Sequence, residues 1–167
     1  MMLEVAIDAD SEWDSSSGWD RIARAAAEAA IAESAFPQLG QCDRTVELSL
    51  LLTGDAAVRD LNAAWRGKDG PTNVLSFPMA EAAELKSRDD GPELMLGDIV
   101  LARGVCGAEA EAKAIPLTDH AAHLIVHGTL HLLGYDHEDE GAAADMEARE
   151  VRALARLGIA NPYGNNH

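Results

Sequence analysis

The chain has 167 residues, 47% of them hydrophobic, and a formal net charge of −16. That is enough apolar material for one buried core, so residues 1–167 are expected to form a single domain. No stretch reaches the roughly eighteen apolar residues of a membrane span, the start Met-Met-Leu-Glu-Val-Ala-Ile-Asp lacks the regions of a signal peptide, and Cys42 and Cys106 form no disulfide framework; these features exclude a membrane-spanning or disulfide-built protein and predict a cytoplasmic one.

Along the chain, Leu3 to Asp8 alternates as a half-buried strand does, and Ser15-Ser16-Ser17-Gly18 offers N-cap chemistry to an alanine-rich helix from Trp19 to Ser34. Small-residue packing explains that helix better than a partner surface does. Thr45 to Thr53 reads as a second strand. Asp55 starts a helix that Gly70 and Pro71 break, and Val74 to Phe77 forms a short strand ended by Pro78. Glu81 to Pro92 reads as a loop or hairpin tip. Leu96 to Leu101 makes a further strand and Arg103 to Lys113 a helix. Thr118 or Asp119 caps a long helix, and the acidic stretch after His137 leads into a last one ending near Leu157. The order predicts an α+β fold, a mixed sheet of about four strands packed with helices.

Five of the six histidines fall between His120 and His137. His127 and His131 are four residues apart, so on a helix they share one face, offset by about 40°. Gly134 tolerates the left-handed conformation that ends a helix, and the turn after it brings His137 toward the same point. Three imidazoles on one ion, with no CxxC pair to close the shell, predict a zinc site of catalytic type, one ion per chain, on the long helix and the turn that follows. Zinc held in this way keeps a water whose pKa falls from about 15.7 to about 7. The spacing is also that of metzincin peptidases, but Gly128 stands where they carry a glutamate base. For His123 and His120, one and two turns earlier, lining a pocket or facing water stands beside a direct role. His167 reads as a bystander.

The run His127-Gly-Thr-Leu-His-Leu-Leu-Gly-Tyr-Asp-His137, the segment Leu61-Asn62-Ala-Ala-Trp65-Arg66-Gly-Lys68-Asp69-Gly-Pro71-Thr72-Asn73-Val74-Leu75-Ser76-Phe77-Pro78, and Leu96-Gly97-Asp98-Ile99 together resemble the YbeY family of bacterial metal-dependent endoribonucleases. The three motifs stand in the family's order, and the resemblance covers most of the chain from Thr45 to Glu150, with Trp65 where the family commonly has tyrosine. The resemblance implies single-strand-specific cleavage of ribosomal RNA in its maturation and quality control, the ribosome or its associated proteins as partners, and no role with DNA. It places the metal ligands on His127, His131 and His137, and a catalytic arginine on Arg66. A guanidinium suits that role because it contacts two non-bridging phosphate oxygens at once. Lys68, Asn73, Ser76 and His123 are the expected substrate-binding residues, with Asp136 and Asp98 able to orient a ligand imidazole. Attack on phosphorus by metal-activated water and attack by the RNA's own 2′-hydroxyl both fit. With Gly128 at the base position, His123 or a second water remains for proton transfer.

The charge runs against a nucleic-acid partner, since such proteins usually present a basic face. Six acids lie in Glu4 to Asp20 and six in Glu138 to Glu150, whereas Arg59, Arg66 and Lys68 cluster beside the active segment, with Arg103 and Lys113 on the next helix. A local positive cleft on an acidic body, with a helper to deliver the RNA, is the expectation. The rival classes are a zinc hydrolase of another bond, such as a peptidase or amidase, and a non-catalytic ribosome-assembly factor with a structural metal.

Overall fold

The computed structural model describes residues 2–40, 44–67, 72–86 and 93–164. Along them run β1 (Met2–Ala9), α1 (Trp19–Glu33), β2 (Thr45–Thr53), α2 (Asp55–Arg66), β3 (Val74–Pro78), α3 (Ala82–Lys86), β4 (Leu94–Ala102), α4 (Arg103–Ala112), α5 (Leu117–Leu132) and α6 (Glu140–Arg156). The strands form one sheet in the order β1-β2-β4-β3, in which β1, β2 and β4 are parallel and β3 is antiparallel to β4. This is the expected single α+β domain with a mixed four-stranded sheet.

Period-two alternation decides the two faces. On β2, Val46, Leu48, Leu50 and Leu52 are buried and pack into the main core with α1, α5 and α6, while Glu47, Ser49 and Leu51 turn to the other face. A smaller cluster of Val58, Leu75, Val100 and Ala102 covers part of that second face beneath α2. β4 is the strand covered most completely, and it is apolar at nearly every position for that reason. The alanines of α1 are a packing device: Ala23, Ala26, Ala27 and Ala30 are fully buried where α1 lies against α5 and α6. Small side chains allow that close approach.

α5 is the central helix. Leu124, Ile125, Val126, Leu130 and Leu132 are buried, so it contacts helices on one side and β3 and β4 on the other. It stops as expected at Gly134, whose φ is +98°. The amide of Tyr135 donates to the Leu130 carbonyl and that of Gly134 to the His131 carbonyl, the two bonds of a Schellman end.

Several helix ends differ from expectation. α5 begins at Leu117 with extended Pro116 as its N-cap, rather than Thr118 or Asp119: the Pro116 carbonyl accepts from the amides of Asp119 and His120, so those two residues already lie inside the first turn. Ser15–Ser17 forms a separate 3₁₀ turn capped by Asp14, and α1 starts from Gly18 in the left-handed region. α2 ends at Gly67, whose φ of +66° lets its amide reach back to the Asn62 carbonyl, ahead of Gly70 and Pro71, which lie outside the described residues. Within Glu81 to Pro92, Ala82–Lys86 is helical: the Glu84 carboxylate accepts from the Glu81 amide and Leu85 is buried. Residues 87–92 lie outside the described residues. No described helix is long and apolar enough to cross a membrane.

Candidate metal centre

His127, His131 and His137 converge. Their ligating nitrogens all lie within 4.8 Å of one another, and the Nε2 atoms of His127 and His131 are 3.1 Å apart. Two nitrogens each about 2.0–2.1 Å from a tetrahedral zinc stand about 3.3 Å apart, so the helical pair fits one such ion. Burial, then the neighbouring His127, pulls the His131 imidazole down to about 4, which keeps it neutral and able to coordinate near pH 7. His137 is exposed at the rim, held by the turn after Gly134 in which the Asp136 carboxylate accepts from the Glu138 amide. Asp136 therefore shapes the turn.

The trio forms one wall of a cleft of about 550 Å³, with Arg66, Thr72, Asn73, Val74, Ser76 and Pro78 across from it. β3 supplies that opposite wall through its alternation. Leu75 and Phe77 pack on the far side of the sheet, so Val74, Ser76 and Pro78 face α5. Arg66 is the last residue of α2, exposed at the mouth, and among the described residues it is the cation that lines this cleft. Lys68 lies outside the described residues. The wider basic cluster does not gather there: the Arg103 guanidinium donates to the Glu12 carbonyl and stacks near the Trp13 ring.

Asn73 is fixed from behind. Its amide nitrogen donates to the Glu109 carboxylate at 3.0 Å, and the same carboxylate oxygen meets His120 Nε2 at 2.9 Å. His120 is buried, and desolvation lowers its pKa against the opposing pull of Glu109. His123 does not line the cleft. It is buried, with Nε2 at 2.6 Å from Oε1 of Glu150. The two inner histidines of α5 thus hold carboxylates rather than face the open space.

Glu150 is the residue that sequence reasoning missed. It is 1% exposed on α6, and its Oε1 accepts from the Tyr163 hydroxyl at 2.8 Å and stands 3.4 Å from Nδ1 of His127. Burial would raise its carboxyl, but hydrogen bonds from His123 and His127 outweigh that and hold it down at about 2. The signal was present in the spacing: Met146, Glu150, Ala153 and Leu154 stand at i−4, i, i+3 and i+4, so Glu150 shares the buried stripe of α6. Asp98 has no such place. It lies on β4 between residues that face α5, so its side chain turns to the far side of the sheet, in an apolar hollow with Trp65 and Phe77. It does not touch the histidine trio.

Gly128 follows His127, where metzincins have their base. A Cβ built there meets three side-chain carbons of Ile99 at 3.0 to 3.2 Å. The position points into the sheet, away from the cleft. A side chain added at 128 enters the core instead of reaching a nucleophile.

Comparison with known proteins agrees with this geometry. The family model described as Endoribonuclease YbeY matches residues 11–158. A protein of Sphingopyxis alaskensis named Endoribonuclease YbeY is 51% identical over 98% of this chain and 99% of its own length. One of the same name from Rhizorhabdus wittichii is 48% identical over 97% of both chains. A Thermotoga maritima protein of known solution structure shares the fold, with a TM-score of 0.55 at 19% identity over 93% of this chain and 92% of its own. A helical histidine pair, a third histidine across a glycine turn and a match covering most of the sequence lead to one assignment: the chain belongs to the Endoribonuclease YbeY family.

Proposed function

We propose that this protein is a zinc-dependent endoribonuclease of the cytoplasm, one domain spanning residues 1–167, which cleaves single-stranded segments of ribosomal RNA during maturation and quality control of the ribosome. The observation that carries the reading is the convergence of His127, His131 and His137 on one side of a cleft whose mouth holds Arg66. When bound to the three imidazoles, zinc supplies Lewis acidity and a nucleophile at neutral pH. The chain's own residues supply the rest. Arg66 pairs with a non-bridging phosphate oxygen and offsets the charge that accumulates there as the bond to the leaving oxygen lengthens. Asn73, held by Glu109, and Ser76 on β3 offer polar groups to the sugar-phosphate backbone along the opposite wall. Lys68 binds a neighbouring phosphate.

The acidic body sets the manner of substrate delivery. A molecule of net charge −16 repels RNA in general, so we assign the ribosome or a ribosome-associated protein the task of bringing a particular strand to the cleft. A peptidase is disfavoured because Gly128 packs on Ile99 and cannot present a base.

The test combines metal analysis with cleavage. Purified protein should hold one zinc per chain, cut a ribosomal RNA fragment and leave casein intact, and His131→Ala should abolish both metal and cutting. Casein hydrolysis lost in the same variant would replace this proposal with a peptidase. End-group analysis identifies the nucleophile: water leaves linear phosphate ends, whereas a 2′,3′-cyclic phosphate would transfer that role to the RNA's own hydroxyl.

A further inference from the structure

One buried carboxylate reaches three donors, two on α5 and one in the segment after α6. Oε1 of Glu150, on α6, lies 2.6 Å from Nε2 of His123, 2.8 Å from the hydroxyl of Tyr163 and 3.4 Å from Nδ1 of His127. A buried carboxylate is costly unless donors surround it, and an ionised one only accepts. His123 Nε2 and Tyr163 oxygen therefore carry protons directed at Glu150. His127 turns Nδ1 toward the same carboxylate at a longer 3.4 Å, an arrangement that favours the tautomer with its proton on Nδ1 and its lone pair on Nε2. That lone pair points to Nε2 of His131, 3.1 Å away. Both nitrogens are within reach of one cation.

We infer that Glu150 is a positioning residue for the metal centre, fixing the tautomer and orientation of His127, with His123 and Tyr163 holding the carboxylate in place. This rests on the metal-dependent reading above and extends it to residues that touch neither metal nor RNA. The design is economical in its use of α5. His123 and His127 stand one turn apart on one face; the outer imidazole is a ligand, and the inner one anchors the carboxylate behind that ligand. Tyr163, in the segment after α6, closes the third side, so the end of the described chain is tied to the metal centre through one oxygen atom. Groups that orient a ligand imidazole in this way are worth about 10- to 100-fold in metal affinity.

The test is a zinc titration of Glu150→Gln against a chromophoric chelator, with cobalt(II) spectra and the unfolding midpoint of the metal-free protein measured alongside. The glutamine has the same shape but no charge. Zinc affinity should fall about 10- to 100-fold, and the cobalt(II) visible bands should shift as His127 loses its fixed orientation. Tyr163→Phe removes a single donor and should give a smaller loss in the same direction, which keeps the inference testable if the glutamine variant does not fold. Unchanged zinc affinity and cobalt spectra, with only the metal-free midpoint lowered, would reduce Glu150 to a structural partner of His123 and overturn the inference. Absence of zinc binding by the wild type would overturn this inference and the zinc-dependent reading together. Loss of affinity in Glu150→Gln supports it whatever the RNA assay returns.

Discussion

Ile99 of β4 closes over Gly128 of α5 so tightly that a single added carbon would sit 3.0 Å from its Cγ2 and 3.1 Å from its Cδ1. Both residues are buried. Replacing a helical glycine by alanine ordinarily gains up to about 1 kcal/mol, while overpacking a core costs about 1–3 kcal/mol. Overpacking should win here. Gly128→Ala is expected to lose about 1 kcal/mol in urea denaturation, and Gly128→Glu to fold poorly and to gain no peptidase activity. A stabilised alanine variant would show that α5 moves away from β4 more readily than this contact implies.

Acid should destabilise the metal-free protein well above the range in which carboxylates titrate. Burial lowers both His120 and His131 below the ordinary histidine value of 6.5, His131 to about 4. The unfolded chain therefore binds more protons than the folded one between those limits, and stability rises with pH. The contribution is complete above about 6.5 and is lost as pH falls toward about 4. With chelator present, the urea midpoint should drop between pH 7.5 and pH 5. A midpoint that holds or rises over that interval would mean that protonated imidazoles are tolerated in the folded state. Glu150, held at about 2, adds a further loss below its ordinary value of 4.5, outside this window.

How much of this was legible in the sequence depends on the range over which each signal acts. Helical spacing and a glycine stop are local, so His127, His131, Gly134 and His137 could be placed together from a run of eleven residues. The strands β2 and β4 were equally plain, because alternation and continuous apolarity are properties of consecutive side chains. The carboxylates behind the site were a different matter. Glu150 stands in an acidic stretch that resembles a solvated face, and only the apolar neighbours Met146 and Leu154 mark its side of α6 as buried. Glu109 and Asn73 meet across 36 residues of chain, a pairing that no local pattern encodes. Asp98 shows the reverse error: it stands in one of the motifs shared with the family, yet one step of the strand's period turns it to the face opposite the histidines.

Substituting Arg66 tests substrate chemistry apart from metal binding. Arg66 lines the cleft from the end of α2 but belongs to neither the histidine trio nor the buried carboxylate network. Arg66→Ala should therefore retain zinc while single-turnover cleavage falls by about 10²-fold or more, the loss typical of removing one preorganised donor to a developing oxyanion. Arg66→Glu should fall further, because it sets a negative charge against the phosphate. A variant that lost zinc in proportion to activity would transfer Arg66 to the support of the metal centre.

The acidic body makes a quantitative statement about naked RNA. Each phosphate neutralised on a single strand contributes about −0.7 to the slope of log affinity against log salt. Arg66 is the cation lining the cleft among the described residues, and Lys68 follows it by two positions in the sequence. Two such contacts give a slope of about −1.4, far shallower than that of a protein with a basic face, on an affinity that the net charge of −16 keeps weak. Fluorescence anisotropy with a single-stranded oligonucleotide at several salt concentrations measures the slope. Arg66→Ala should make it shallower by about 0.7. A steep slope with tight binding would mean that a basic surface exists elsewhere on the molecule, and that the protein finds RNA without a helper.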